Sequence, residues 1–330
     1  MTNEPELDVL GIGNAIVDVL AHCDDAFVET EGLVKGSMNL IEVDQSNSLY
    51  ERMGPGIEMS GGAAANSMVG AASFGSRVAY VGKIRDDQLG AVFAHDIRAA
   101  EVHFDTPVAP DGPPTAKSLI LVTPDAHRTM STYLGAAVEL GPEDIDTELV
   151  ARCAVTYLEG YLWDKPRAKD AFRVAMAAAR GAGRRVSLTL SDSFCVERHR
   201  DEFQALVDDQ VDLLFANEAE ILALTLAPDL ESAVAAVRGR SEIVVITRSE
   251  RGSMVVTADE TVDVPAAPVE RLVDTTGAGD LYAAGFLHGL TRGRPLAECA
   301  ALGSLAASEV IAHLGARPQA DLAALAAAAV

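Results

Sequence analysis

The chain has 330 residues, 49% of them hydrophobic, and a formal net charge of −23 at pH 7. That length is long for one domain and short for three, and the apolar share can fill a large core. The acidic balance argues against nucleic acid or an anionic membrane surface as partner, so a bound nucleotide would need local positive features instead.

The first six residues are polar and acidic, unlike a secretory signal. No apolar run reaches about 18 residues, so no membrane span is expected. Cys23, Cys153, Cys195 and Cys299 form no C-x-x-C pair, which suggests neither a zinc site nor a disulfide framework. Reduced thiols are the expected state and fit a cytoplasmic setting.

Residues 7–13 (Leu-Asp-Val-Leu-Gly-Ile-Gly) read as a buried strand ending in glycines. Gly11-x-Gly13 invites a dinucleotide-fold reading. Ile16 stands where a third glycine would be needed, and residues 15–20 are β-branched and strand-like, not a helix start, so that reading is rejected. Asp18 lies on this second strand, where a carboxylate reads as solvated. Residues 33–41 hold one strand signal, and 44–52 predict a helix. Gly61-Gly62 then permits close backbone approach or positive φ before a helix. Asn66, a weak helix former set among alanines, faces either solvent or something small.

Residues 77–82 predict a strand, and 83–90 open the next helix with acids in its first turn. The proline-rich 106–114 segment is a loop. Residues 117–123 and 128–133 alternate as a hairpin around the turn at 124–127, with Arg128 at the start of its second strand.

Beyond Pro142 the pattern becomes regular. Strands at 155–158, 185–190, 211–216 and 242–247 alternate with helices at 165–180, 201–207, 217–226 and 230–238, which argues for a parallel sheet with helices on both faces. Ligands then gather at the carboxyl ends of the strands. Tyr161 stands at one such end, able to stack on a base or to cover the sheet edge. Asn217 and Glu220 stand at another, on one helix face. They read as a capping box, an Asn N-cap with a Glu three residues on. A turn, Thr247-Arg248-Ser249-Glu250-Arg251-Gly252, precedes a strand at 253–257. The Ala-rich residues 321–330 read as a terminal helix.

The sharpest stretch is Asp274-Thr275-Thr276-Gly277-Ala278-Gly279-Asp280, placed after an extended segment ending at Val273 and before a helix rich in small residues. Glycines at a helix mouth leave amides bare, and the helix dipole adds partial positive charge, so the stretch is an anion cradle suited to phosphate. Asp280 beside it is awkward for mere binding and suits a base that takes a proton from an attacking hydroxyl.

These seven residues resemble the DTxGAGD signature of the ribokinase-like (PfkB) carbohydrate and nucleoside kinases. Other motifs are similar in the same order: Gly-Asn…Asp at Gly13, Asn14 and Asp18; Gly-Gly-x-x-x-Asn at Gly61, Gly62 and Asn66; Asn-x-x-Glu at Asn217 and Glu220; and a nucleotide turn at Thr247 and Gly252 in which Ser249 replaces a glycine. A G-x-D-x-x-G-like run near Asp87 reads as architectural.

The resemblance covers nearly the whole chain. It implies an α/β, three-layer αβα ribokinase-like fold with a mainly parallel central sheet, as a single kinase domain over 1–330. A small β-sheet lid would come from insertions within about 14–42 and 115–135. It implies transfer of the γ-phosphoryl of ATP to an alcohol, with Asp280 as base and the amides of Gly277, Ala278 and Gly279 holding the phosphoryl charge. Asn14, Asp18, Gly61, Gly62 and Asn66 would hold the acceptor, joined by Arg128, Leu134 and Tyr161 from the lid and sheet.

Asn217, Thr247, Gly252, Gly277, Gly279, Gly303 and Ser308 would flank ATP, and Glu220 would reach Mg²⁺ through water. Carbonyls of Asp274 and Thr276 are candidate ligands for a monovalent cation such as K⁺. The opening motif, residues 35–41 and 132–137 look most like the adenosine kinase branch, which implies the 5′-hydroxyl of a nucleoside as acceptor. A sugar kinase (ribose, fructose or 2-keto-3-deoxygluconate) is the alternative, and a non-catalytic nucleoside- or sugar-binding regulatory protein is a second. The implied state is monomer or homodimer.

Overall fold

The computed structural model describes residues 4–125 and 127–329. Residues 1–3 of the acidic N-terminus, Ala126 of the hairpin turn and Val330 of the terminal helix lie outside them. In chain order the elements are β1 (Leu7–Ile12), β2 (Ile16–His22), α1 (Asp25–Thr30), β3 (Met38–Leu40), α2 (Val43–Arg52), β4 (Gly56–Gly61), α3 (Ala63–Ser73), β5 (Val78–Val81), α4 (Gln88–Ala99), β6 (Ala116–Val122) and β7 (Arg128–Tyr133). There follow α5 (Thr147–Arg152), β8 (Cys153–Glu159), α6 (Pro166–Gly181), β9 (Arg185–Thr189), α7 (Ser193–Asp209), β10 (Leu213–Asn217), α8 (Glu218–Thr225), α9 (Leu230–Val237), β11 (Ile243–Thr247), β12 (Ser253–Val256), β13 (Thr261–Val264), α10 (Ala278–Thr291), α11 (Leu296–Val310) and α12 (Leu322–Ala329).

Among the described residues the strands form two sheets. The large one runs β13-β12-β11-β10-β9-β8-β1-β5. Its strands pair parallel from β5 to β11, and the β12–β13 hairpin adds an antiparallel edge. The parallel strands are apolar runs buried on both faces, as helix-covered sheets require. Alternate residues enter opposite cores: Val9, Tyr157, Phe215 and Val245 face α3, α10 and α11, whereas Leu10, Leu158, Leu214 and Val244 face α5 to α9. The three layers follow. Phe286 and Phe172 are fully buried in the two cores, each contributing roughly 1.5–3 kcal/mol.

The second sheet, β3-β7-β6-β2-β4, turns away from the first at residues 13–15, between β1 and β2. On β2, Val17 and Val19 point into the core while Ile16 and Asp18 face a cleft. Among the described residues no helix is long and apolar enough to cross a membrane, and all four cysteines are free thiols.

Local readings differ from this structure in four places. Strand β4 went unread, because its short Ile-Glu-Met-Ser run is closed by glycines at both ends. Asp87 is the N-cap of α4, its carboxylate accepting from the Gly90 amide at 2.8 Å, so the acids precede the helix and none lies in its first turn. The extended segment ending at Val273 joins neither sheet. Its amides are taken by α11 and the end of that helix: Ala267 donates to Ser304 Oγ at 2.7 Å and Val273 to the Ile311 carbonyl at 2.8 Å. Helix α7 starts at Ser193, earlier than its apolar spacing shows.

Candidate functional site

The carboxyl ends of β8, β9, β10 and β11, the N-terminus of α10 and the inner face of the second sheet enclose a cleft of about 400 Å³. That size suits a small-molecule site. Asp18, Gly62 and Asn66 line one side, Gly277, Gly279 and Asp280 the other, and Tyr161, Asn217, Glu220 and Thr247 the floor along the strand ends.

Helix α3 begins after Gly62, whose φ is +94° and whose missing Cβ would stand 2.1 Å from the Asn14 carbonyl oxygen. Gly61 is needed for another reason: a Cβ there would lie 2.4 Å from Asp18 Oδ2. The double glycine therefore lets the β2 carboxylate sit against the helix start. One turn later Asn66 Nδ2 donates to Asp280 Oδ2 at 2.9 Å, joining α3 to α10 across the cleft. Asn66 Oδ1 is buried and has no hydrogen-bond partner among the described residues.

Asn14 does not line the cleft. Its Nδ2 donates to Glu159 Oε1 at 2.7 Å, and the Ala64 amide donates to Glu159 Oε2 at 2.9 Å. Glu159, almost fully buried at the end of β8, thus clamps the turn after β1 to the start of α3. The one sequence signal for it is a charge that closes an apolar strand.

Asp18 and Asp280 line the cleft and are each only partly exposed. Burial raises both carboxyls to about 6, against the Asn66 hydrogen bond and the Arg317 charge at Asp280, and against Arg317 and Arg128 at Asp18. Burial likewise lifts Glu159 to about 7, although Ala64 and Asn14 hydrogen-bond to its ionised form. Arg317 went unread. Its guanidinium donates to the Ser60 carbonyl at 2.9 Å, the Ala65 carbonyl at 3.0 Å and Ser60 Oγ at 2.9 Å, fastening the segment after α11 to β4 and α3. Burial lowers it to about 10, so it stays cationic at neutral pH.

At the α10 mouth, Gly277 is the N-cap, with φ +77°. The amides of Gly277, Gly279 and Asp280 have no hydrogen-bond partner among the described residues. The Ala278 amide is already given to the Thr275 carbonyl at 3.2 Å, so the cradle uses its neighbours instead. Asp274 shapes the loop from below. Its Oδ1 accepts from the Thr276 amide and hydroxyl at 3.0 and 2.8 Å, and its Oδ2 accepts from the Gly315 amide at 3.2 Å.

Arg128, at the start of β7, is neither exposed nor on the cleft wall. It is buried and pairs with Asp274 Oδ2 at 2.6 Å, tying the second sheet to the loop before α10. Leu134 also misses the cleft; it caps the 3₁₀ turn at 135–139. Tyr161 lines it, its hydroxyl donating to the Ser191 carbonyl at 3.3 Å.

Asn217 and Glu220 form a reciprocal capping box: Asn217 Oδ1 accepts from the Glu220 amide at 2.9 Å, and Glu220 Oε2 from the Asn217 amide at 3.0 Å. Both line the cleft, and burial raises Glu220 to about 7. Thr247 leads into an adjoining groove of about 460 Å³ with Arg248, Ser249 and Arg251, while Gly252 stands off the wall and closes the turn by accepting from the Arg248 amide at 2.8 Å. Gly303 is architectural: a Cβ would stand 2.7 Å from the Tyr282 carbonyl where α11 packs on α10. The Ser308 hydroxyl bonds back to Leu305 within its own helix, and neither residue reaches the cleft. Among the described residues no three His, Cys, Asp or Glu side chains gather as a metal cage.

The Ser249 backbone has φ +53°, a conformation that costs a non-glycine residue about 1–2 kcal/mol. Ser249→Gly is therefore expected to raise unfolding free energy by about 0.5–1 kcal/mol after the entropy cost of glycine, measured by denaturant titration. A loss of stability would show that the hydroxyl makes a contact worth more than the strain.

Residues 37–322 match the pfkB family carbohydrate kinase model. Among solved structures, the adenosine kinase from Sinorhizobium meliloti shares 54% identity with a TM-score of 0.92, covering 98% of this chain and 100% of that one. A probable sugar kinase from Rhizobium etli shares 48% identity with a TM-score of 0.92, covering 98% and 99%. The cytidine kinase of Thermococcus kodakarensis is 39% identical over 138 residues, 40% of this chain, and the match spans about half (49%) of that relative's length.

Proposed function

The chain belongs to the pfkB family of carbohydrate kinases, and on that premise we propose that it transfers the γ-phosphoryl of ATP to the 5′-hydroxyl of a nucleoside, adenosine foremost. The observation that supports this most is the opposition of Asp280 and three free amides on one wall to Asp18 and Asn66 on the other. The 54% identity to an adenosine kinase over nearly the full chain supports the nucleoside acceptor, as do apolar Ile16, Ile120 and Met130 on the second sheet's inner face. The similarity to a probable sugar kinase keeps a free sugar as the second reading.

In this reading Asp18 accepts hydrogen bonds from the ribose hydroxyls, and the second sheet covers the base. Asn66 holds Asp280 in place. The 5′-oxygen forms a bond to the γ-phosphorus as the bond from that phosphorus to the bridging oxygen of ADP breaks, and the hydroxyl proton passes to the Asp280 carboxylate. The amides of Gly277, Gly279 and Asp280 meet the charge on the phosphoryl oxygens. Closure of the second sheet as a lid excludes water, the competing acceptor.

Glu220 fits a magnesium ion held through water, since each oxygen of a carboxylate keeps a lone pair beyond its capping bond. When bound with ATP, that ion neutralises phosphate charge. A monovalent cation would take the carbonyls of Asp274 and Thr276. The free thiols and acidic surface support a cytoplasmic setting.

Release of ADP from Mg-ATP with adenosine, guanosine, inosine, ribose or fructose tests the assignment. The expected result is the highest kcat/KM with adenosine and none without acceptor. Higher kcat/KM for ribose or fructose would replace the nucleoside reading with the sugar-kinase one. Nucleoside binding without turnover of any acceptor would leave a binding protein.

A further inference from the structure

The inner face of the second sheet carries a polar row inside an apolar surround. Asp18 on β2 is in register with Ser118 on β6, and Ser118 with Thr132 on β7. All three line the cleft, among Ile16, Ile120 and Met130. Ser118 and Thr132 are 6% and 8% exposed, and their hydroxyls bond to each other at 2.9 Å, with either oxygen able to donate. Two hydroxyls hold two protons and four lone pairs, and their mutual bond uses one of each. One donor and three acceptor sites therefore remain, with no other partner for either hydroxyl among the described residues. Hydrogen-bonding capacity left idle in a buried place is costly unless something fills it.

The position says what fills it. Neighbouring strands lie about 4.8 Å apart, which puts Thr132 roughly 10 Å from Asp18 along the row. That is beyond the hydroxyls of a ribose held by Asp18 and at the outer edge of a base attached to it.

We propose that the Ser118–Thr132 hydroxyl pair reads the hydrogen-bonding edge of the acceptor's base. The proposal rests on the nucleoside reading above. Either hydroxyl can donate the mutual bond, so by rotating the O–H groups the pair donates to an oxo group or accepts from an amino group. Bases with either substituent are recognised, and a base bearing neither is disfavoured.

The test compares kcat/KM for adenosine, inosine and purine riboside, which share ribose and ring system and differ at the exocyclic position. The wild-type protein is expected to prefer adenosine and inosine over purine riboside by about 3- to 10-fold, the effect of one neutral hydrogen bond. In Ser118→Ala/Thr132→Val both ratios are expected to fall to near 1. General damage to the fold scales all three substrates together and leaves the ratios unmoved. Ratios that persist in the double variant, or that are already near 1 in the wild type, overturn the proposal while leaving the nucleoside reading intact. Turnover of ribose but of none of the three nucleosides overturns the nucleoside reading itself.

Discussion

Asp280→Asn is expected to lower turnover by about 10³-fold while nucleoside binding persists, within the range for loss of a positioned general base. The substitution changes little else. An amide oxygen at this position can still accept from Asn66 Nδ2, which now bonds Asp280 Oδ2 at 2.9 Å, so α3 and α10 remain joined. What disappears is the acceptor for the hydroxyl proton. Burial holds the Asp280 carboxyl at about 6, so wild-type turnover should rise with pH through about 6 and level off above it, as the base becomes ionised.

The stability sign runs the other way. A carboxyl whose folded pKa lies above its unfolded value contributes stability at low pH, and that contribution is lost as pH rises through about 6. The Asn variant should therefore gain stability relative to wild type as pH rises from about 4 to about 6, and gain no more above that. Lost turnover together with relatively improved stability at pH 8 would assign Asp280 to chemistry and not to folding. Turnover above about one tenth of wild type would remove Asp280 from the role of base.

The second large effect is expected at Gly277. Alanine there must adopt φ near +77°, at about 1–2 kcal/mol, and its Cβ would meet Ala316 Cβ at 2.7 Å and Ala316 Cα at 2.8 Å. Ala316 is buried backbone-side packing that follows α11, so the loop itself must shift. Moving it displaces the free amides of Gly277, Gly279 and Asp280, and one preorganised donor is worth about 10²–10³ in kcat. Gly277→Ala should therefore cost at least about 10²-fold in kcat, while acceptor affinity measured without ATP changes little, because Asp18 and Asn66 lie across the cleft. Near-wild-type kcat would mean that these amides do not hold the transferring group.

The parallel sheet was readable because strands buried on both faces leave apolar runs of the right length between helices. The reciprocal Asn217–Glu220 box was readable too, since capping chemistry acts within one turn. The segment at 265–273 was not, because its amides bond to α11, some 40 residues downstream, by a pairing that no local pattern records. Arg128 shows the same limit. It was read toward the acceptor from its place on the hairpin, and the structure instead buries it against Asp274. Gly303 was read toward a nucleotide, yet its missing side chain serves the contact between α10 and α11.

The glycine-loop half of the cleft could be derived from seven consecutive residues, because glycine conformation, bare amides and a helix dipole are properties of neighbours in sequence. The opposite half depends on Asp18, Asn66, Glu159 and Arg317, which come from separate elements up to some 300 residues apart. Their meaning is set by distance and burial: Glu159 becomes a clamp only where Asn14 and Ala64 meet it, and the carboxyls of Asp18 and Asp280 are pushed up only because the fold partly desolvates them. Charge state and long-range contact are three-dimensional quantities, so tertiary structure alone decided them.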